Sequence, residues 1–214
     1  MMIPLCGSRE KKRETRRQAI LAAASDLFLE KGYEATTLSD IVARSGGSLA
    51  TLYELFESKL GLLRAMVQER CSSITGGLDR AFCAQQPVET TLRELAEQLF
   101  DEILEPRAIA LIRVVVAQCT VQPDLGRLLY EAGAAVGKTK IARYLQSQSE
   151  SGRLHVERPE ATAQVFFELV VGPFHHQLLV GAIDQPSEIE KADHLDFALS
   201  CFMKIVERPC REES

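Results

Sequence analysis

The chain has 214 residues, of which 46% are hydrophobic and 26% are charged, as is usual for a protein with a hydrophobic core. Its net charge of −5 argues against a protein that coats nucleic acid indiscriminately, and no apolar stretch is long and clean enough to cross a bilayer. The sequence has six cysteines but no C-x-x-C pair, and its first residues lack the pattern of a secretory signal. These features predict a cytoplasmic protein with reduced thiols. A redox-sensing pair of cysteines stays open as an alternative.

Charge is distributed unevenly along the chain. Residues 1–70 contain 11 Lys+Arg and 9 Asp+Glu, whereas residues 71–214 carry a net charge of −7. Six of the basic residues lie within REKKRETRR at 9–17. A basic start on an acidic body is typical of a chain with one end that meets a polyanion, and a solvated tail would show the same charges.

Helical periodicity begins near the N-terminus. The first predicted helix spans 13–31, and Gly32 follows it as a helix stop. One apolar stripe runs along this helix: Ile20, Ala24, Leu27 and Phe28. Thr37 and Asp40 have the spacing of a capping box and predict that a short helix begins at Leu38.

Two adjacent glycines, Gly46 and Gly47, end that short helix, and Ser48 is a suitable N-cap for the next one. Such a short turn holds two helices at a steep angle. Residues 38–56 therefore fit a helix–turn–helix, in which the second helix inserts its N-terminal residues into the major groove of DNA. A helical hairpin within an ordinary bundle fits the same pattern.

Past Gly76 and Gly77 the pattern changes to longer helices. Predicted helices cover 90–104, begin at Pro106, Pro123 and Pro159, and end with one that Ser187 and Glu190 cap. Strand-like alternation is confined to 153–157. The predicted fold class is all-α, with a three-helix DNA-binding domain at 1–62 and a helical bundle for ligand binding and dimerisation at 63–214.

Two features suggest an enzyme, and both are weak. AGAAVGKT at 132–139 nearly matches a phosphate-binding loop, but it lacks the first glycine and a preceding strand. His175 and His176 are adjacent, so on a helix they point about 100° apart and cannot easily share one metal ion. We predict no catalytic site, metal or cofactor, and keep a helical hydrolase or transferase that uses His175 or Lys138 as an alternative.

The segment 19–67 closely resembles the DNA-binding region of the TetR family of transcriptional regulators. The residues that carry this resemblance are Ala24, Phe28, Gly32, Tyr33, Thr36, Thr37, Ile41, Ala43, Gly46, Ser48, Thr51, Leu52, Tyr53, Phe56, Ser58, Lys59, Leu62 and Leu63. The remainder of the chain resembles, more weakly, the ligand and dimer domain of AefR-like members.

The resemblance implies roles for individual residues. Thr37 would lie against a phosphate at a helix N-terminus, and Lys59 would contact phosphate as a point charge. Ser48, Thr51 and Tyr53 would touch the DNA backbone and bases from the recognition helix.

The sequence departs from the family where many members have a basic residue and a glycine, because it has Leu49 and Ala50. Small apolar side chains can pack on a thymine methyl group but cannot read guanine. Glu54 would face DNA unless it accepts a hydrogen bond from a cytosine or from a nearby basic residue such as Arg44. Arg44 itself is predicted to be among the residues that contact DNA.

Apolar residues surround the predicted helix after Pro159 almost completely, so we expect it to be buried on both sides. Together with a stripe formed by Leu195 and Phe202, this predicts a homodimer through the last two long helices, unless this helix is a single core helix. The polar groups that could orient a ligand are Arg113, Gln118 and His175, among apolar or aromatic side chains that include Tyr130, Phe166 and Phe167.

These observations predict a transcriptional repressor that binds a double-stranded operator and responds to an apolar or aromatic small molecule. The alternative outside the enzyme class is a dimeric DNA-binding protein that a partner protein controls.

Overall fold

The structure, a computed structural model, describes residues 6–83 and 86–207. It contains α1 (Cys6–Lys31), α2 (Leu38–Ser45), α3 (Leu49–Phe56), α4 (Lys59–Cys83), α5 (Val88–Leu104), α6 (Pro106–Gln118), α7 (Pro123–Leu129), α8 (Val136–Glu150), α9 (Pro159–Val180) and α10 (Glu188–Val206). A π-helical segment (Tyr130–Ala135) joins α7 to α8. The predicted all-α class is confirmed, and within the described residues the segment 153–157 forms no strand.

The capping signals of the sequence act as predicted. Thr37 and Asp40 form the capping box of α2, and Ser187 and Glu190 form that of α10. Ser48 accepts a hydrogen bond from the backbone N–H of Thr51 and thereby caps α3. Each cap satisfies backbone donors that a helix N-terminus leaves free, which is why these short polar residues mark the helix starts.

Helix α4 departs from the prediction, since it continues through Gly76 and Gly77 to Cys83 instead of ending there. Packing explains the second glycine: a Cβ atom at position 77 would lie 1.5 Å from Nε2 of Gln98 on α5. The absent side chain lets α5 lie close to α4, and this contact outweighs the low helix propensity of glycine.

Two hydrophobic cores divide the molecule. The first joins α1–α4 and includes Val115 from α6 and Leu125 from α7. The second joins α5, α8, α9 and α10, with Leu78 from the C-terminal half of α4. Helix α4 therefore contributes to both cores, and α6 crosses between them, because Ile109 belongs to the second core and Val115 to the first.

The inner face of the last helix pair belongs to the second core. Phe202 packs on Phe166 of α9 with ring centroids 4.8 Å apart, and Leu195 is buried in the same core. The stripe of Leu195 and Phe202 was predicted to face a second subunit, but it packs against the core of its own chain. Helix α10 instead exposes Ile189, Phe197 and Ile205. None of the described helices has both the length and the apolar content needed to cross a membrane.

Candidate DNA-binding surface and ligand cavity

The turn between α2 and α3 depends on its two glycines. Gly46 has φ 75° and Gly47 has φ 94°, a left-handed region that favours glycine. Arg16 of α1 lies against this turn, and its Nη1 donates a hydrogen bond of 3.1 Å to the carbonyl of Ser45. A Cβ atom at Gly47 would lie 3.4 Å from the guanidinium carbon of Arg16. Glycine at these positions thus satisfies both the left-handed backbone and the close approach of Arg16, which ties the end of α2 to α1.

Helix α3 presents one face to its own core and the other to solvent. Leu52 and Phe56 are buried, whereas Leu49 and Tyr53 are 40% and 52% exposed. Ala50 and Glu54 are also exposed, and the hydroxyl groups of Ser48 and Thr51 lie 3.0 Å apart at the start of the helix. The predicted contact residues of this helix therefore share its outer surface and N-terminal turn. This is the arrangement that a recognition helix needs.

Lys59 begins α4 directly beside this surface. Ser58 caps the helix through a 2.9 Å hydrogen bond from the backbone N–H of Gly61, and a Cβ atom at Gly61 would lie 1.9 Å from the carbonyl oxygen of Phe56. The Lys59 ammonium lies 4.3 Å from the Tyr33 ring centroid and donates to the carbonyl of Glu34 at 3.2 Å. Partial burial lowers the pKa of Lys59, against the opposing charge of Glu34.

Two other predicted DNA contacts have partners within the chain. The hydroxyl of exposed Thr37 donates to the Asp40 carboxylate at 2.9 Å. Arg44 forms a double hydrogen bond with Glu30, at 2.6 and 2.8 Å, and this contact lowers the pKa of Glu30. Of the two partners considered for Glu54, Arg44 is thus engaged elsewhere, because its guanidinium group points back to α1.

A cavity of about 280 Å³ lies in the bundle, where α4, α5, α6, α7, the π-helical segment, α8 and α9 meet. Three of the six residues predicted to contact a ligand, Tyr130, Phe167 and His175, line it. Most of its remaining lining is aliphatic or glycine. The cavity is therefore suited to an apolar guest, since little in its wall would need a polar partner.

The other three predicted ligand residues lie elsewhere. Arg113 donates hydrogen bonds to the backbone carbonyls of Leu178 and Leu179 at the end of α9. Gln118 donates to the Glu34 carboxylate at 2.7 Å, and Phe166 is fully buried against α10. All three occupy structural positions outside the cavity wall.

The main wall that the sequence reasoning missed is α4. It contributes five residues to the cavity: Val67, Arg70, Cys71, Ile74 and Leu78. Their spacing follows one helical face, so the helix was predictable, and four of the five precede Gly76. The periodicity shows which residues share a face but not that this face lines a cavity. Gly133 makes room for this wall, because a Cβ atom there would lie 2.9 Å from the Cys71 sulfur. Burial raises the pKa of Cys71, which keeps the thiol protonated.

The features that suggested enzyme chemistry have other roles here. AGAAVGKT lies within the π-helical segment and α8, where Gly133 and Gly137 line the cavity. His175 is half-buried at the cavity, and burial, together with the charge of His176, lowers its pKa, while His176 is exposed. Within the described residues, no group of three His, Cys, Asp or Glu side chains is arranged to hold a metal ion.

Comparison with known families identifies both parts of the chain. Residues 20–66 match the family "Bacterial regulatory proteins, tetR family", and residues 90–205 match "AefR-like transcriptional repressor, C-terminal domain". The second match covers more than half of the chain, and the two together include the recognition helix and most of the bundle.

Individual proteins agree with this result. The chain is 31% identical over 124 residues to the transcriptional activator FasR of Mycolicibacterium smegmatis, a match that spans 50% of this chain and 57% of that one. A TetR-family regulator from Mesorhizobium loti superposes with a TM-score of 0.83 at 22% identity, over 92% of this chain and 98% of the other. The flavonoid-responsive regulator FrrA gives a TM-score of 0.68 at 26% identity, over 92% and 100% of the two chains.

Proposed function

Because the chain belongs to the TetR family of bacterial regulatory proteins, we propose that it is a dimeric, sequence-specific repressor that a small apolar or aromatic molecule releases from DNA. Members of this family are DNA-binding transcriptional regulators and not enzymes, so the alternative of a helical hydrolase or transferase is excluded. The observation that carries the proposal is the course of α4, which begins at Lys59 on the DNA-binding surface and continues as a wall of the cavity.

The proposed DNA contacts follow from the exposed surface of α3 and its neighbours. Ser48 and Thr51 would donate to the backbone or to base edges, and Tyr53 would reach a phosphate from the middle of the helix. Lys59 would leave the Tyr33 ring for a phosphate oxygen. Thr37 would approach a phosphate at the N-terminus of α2, in the positive field of that helix end.

Specificity would come in part from Leu49 and Ala50, which offer methyl groups at the start of the recognition helix. We expect thymines opposite them, because the thymine methyl is the apolar group in the major groove. Replacing each thymine of a half-site with uracil removes only this methyl. At least one replacement should weaken binding measurably, and unchanged affinity at every position would contradict this part of the proposal.

The proposed dimer uses the outer surface of the last two long helices. Phe197 and Ile205 of α10 are 68% and 52% exposed, and Val180 at the end of α9 is 79% exposed. Two copies related by a two-fold axis would cover such residues and set the recognition helices about one DNA turn apart, or a multiple of it. Sedimentation of the wild type and of Phe197→Glu tests this arrangement.

Ligand response is supported by the apolar cavity and by the similarity to FrrA, which is a flavonoid-responsive regulator. Titration of DNA from upstream of its own gene, followed by fluorescence anisotropy, tests DNA binding. A reporter on the same DNA then separates repression from the activation for which FasR is named. If no small molecule raises the melting temperature or releases DNA, control by a partner protein becomes the better explanation.

A further inference from the structure

A groove with several polar side chains adjoins the apolar cavity. The groove, of about 310 Å³, lies between α1, α4 and the start of α6, and it shares Arg70, Ala108 and Leu111 with the cavity. Its lining includes Gln18, Ser25 and Ser73, whereas aliphatic residues and glycine make up most of the cavity wall. A molecule that occupied both spaces would therefore need an apolar body and a polar head.

Arg70 lies at the junction of the two spaces. Among the described residues that line the cavity it is the one with a permanent charge, because His175 is held neutral by its lowered pKa. The Nη2 atom of Arg70 donates to the backbone carbonyl of Glu102 and lies 2.8 Å from the Glu105 carboxylate. Its Nε atom is buried, and within the described structure no acceptor reaches it. A buried N–H without an acceptor is costly, so a ligand that displaces Glu105 and reaches this atom gains from supplying one.

The surroundings of Arg70 contain charges of both signs. Arg107 lies in the groove wall but is paired with Asp26 at 2.7 Å. Helix α6 begins there at Pro106 without a side-chain cap, so its free backbone N–H groups add positive potential. Glu69 and Glu105 also line the groove. Glu69 is paired with Arg17 at 2.6 Å, which leaves Glu105 as the carboxylate that competes for Arg70.

We propose that the effector is an amphipathic carboxylate, with its apolar body in the cavity and its carboxylate on Arg70 in place of Glu105. This inference rests on the proposed ligand response and gives it a ligand class. A carboxylate is favoured over a neutral head because it can accept from Nε and a terminal nitrogen of one guanidinium group together. Exchange of one carboxylate for another keeps the charge of Arg70 compensated, which lowers the cost of burying the ligand's charge.

The test compares three ligands with the same chain length: decanoate, decanol and decanamide. Calorimetric titration of the full chain should give decanoate an affinity about tenfold or more above the other two, as expected for a hydrogen bond to a charged group. Arg70→Gln should remove this preference and leave the binding of decanol nearly unchanged. Arg93→Gln is the matched control, because it breaks a comparable ion pair with Asp196 away from both spaces.

Glu105→Gln should change the affinity for decanoate in the opposite direction. It removes the competing carboxylate, so decanoate should bind several-fold more tightly while decanol does not change. A merely structural role for Arg70 and Glu105 would weaken all three ligands together. The proposal is overturned if decanol or decanamide matches decanoate, if Glu105→Gln weakens decanoate, or if saturated carboxylates of six to twelve carbons fail to bind. Release of operator DNA by decanol would overturn the carboxylate class but leave the proposed ligand response intact.

Discussion

Lys59 connects the DNA-binding surface with the loop after α1. Its ammonium group rests on the Tyr33 ring and on the Glu34 carbonyl, and Glu34 also accepts a hydrogen bond from Gln118 of α6. The resemblance to the TetR family located Lys59 from the sequence alone. Tyr33 and Glu34 could not be assigned as its partners, because these contacts join residues 25 or more positions apart and depend on how α4 packs against α1.

We expect Lys59→Ala to weaken binding to every DNA sequence and to reduce the slope of log affinity against log salt by about one, since one phosphate contact is lost. Fluorescence anisotropy at several salt concentrations measures this slope. Lys138→Ala, which removes a cation from the bundle, is the control and should leave it unchanged. A slope for Lys59→Ala equal to that of the wild type would exclude Lys59 from the phosphate contacts.

His175 makes the stability of the bundle depend on pH. Burial lowers its pKa in the folded state, so its contribution is present above the unfolded pKa of about 6.5 and is lost as the pH falls through the folded value. Urea unfolding at pH 7.5 and 5.5 should therefore show a smaller loss of stability for His175→Gln than for the wild type. His176→Gln, at the exposed neighbour, should lose nearly as much stability between the two pH values as the wild type. Equal losses of stability in all three proteins would contradict this explanation.

The helix starts could be predicted because each has a local chemical cause. Thr37, Ser48 and Ser187 cap backbone N–H groups within three residues, and Pro159 is fixed in a conformation suited to the first helical turn. The course of α4 past Gly76 could not be predicted in this way. It depends on Gln98 of α5, a tertiary contact for which residues 76 and 77 give no sign.

Replacement of glycine by alanine should have opposite effects on stability in α4 and in the turn between α2 and α3. Gly76 lies inside α4 and a Cβ atom there meets nothing within 4 Å, so Gly76→Ala should stabilise the protein by about 0.5–1 kcal/mol. Gly47→Ala forces alanine into the left-handed region beside Arg16 and should cost about 1–2 kcal/mol and weaken DNA binding. Denaturant unfolding measures both changes. A neutral Gly47→Ala would show that the α2–α3 turn tolerates a side chain.

The DNA-binding helices and the bundle are joined by polar contacts at both ends of α6. Arg107 near its start lies 2.7 Å from Asp26 of α1, and Gln118 at its end donates to Glu34. Between these contacts, Ala108, Leu111 and Ile112 face the cavity. A guest that displaces α6 must therefore strain or break contacts to the same part of the chain that holds Lys59. No single segment of the sequence could reveal this route, because its contacts join residues 81 and 84 positions apart.

The last prediction concerns this route. An effector that lowers operator affinity a hundredfold has a coupling free energy of about 2.7 kcal/mol, and operator DNA must weaken the effector by the same factor. The double variant Arg107→Gln with Gln118→Ala removes both contacts of α6. These contacts are exposed, and such pairs contribute only about 0.2–1 kcal/mol each, so the variant should fold. For a confirmed effector, calorimetric titration with and without operator should show a coupling about two- to thirtyfold weaker in the double variant. Coupling is the ratio of the two affinities, so this result does not depend on whether the loss of Arg107 changes effector binding to the free protein. Gln146→Ala, which removes an exposed hydrogen bond to Glu150 within α8, is the control. Full coupling in the double variant would show that the signal does not travel through these two polar contacts of α6.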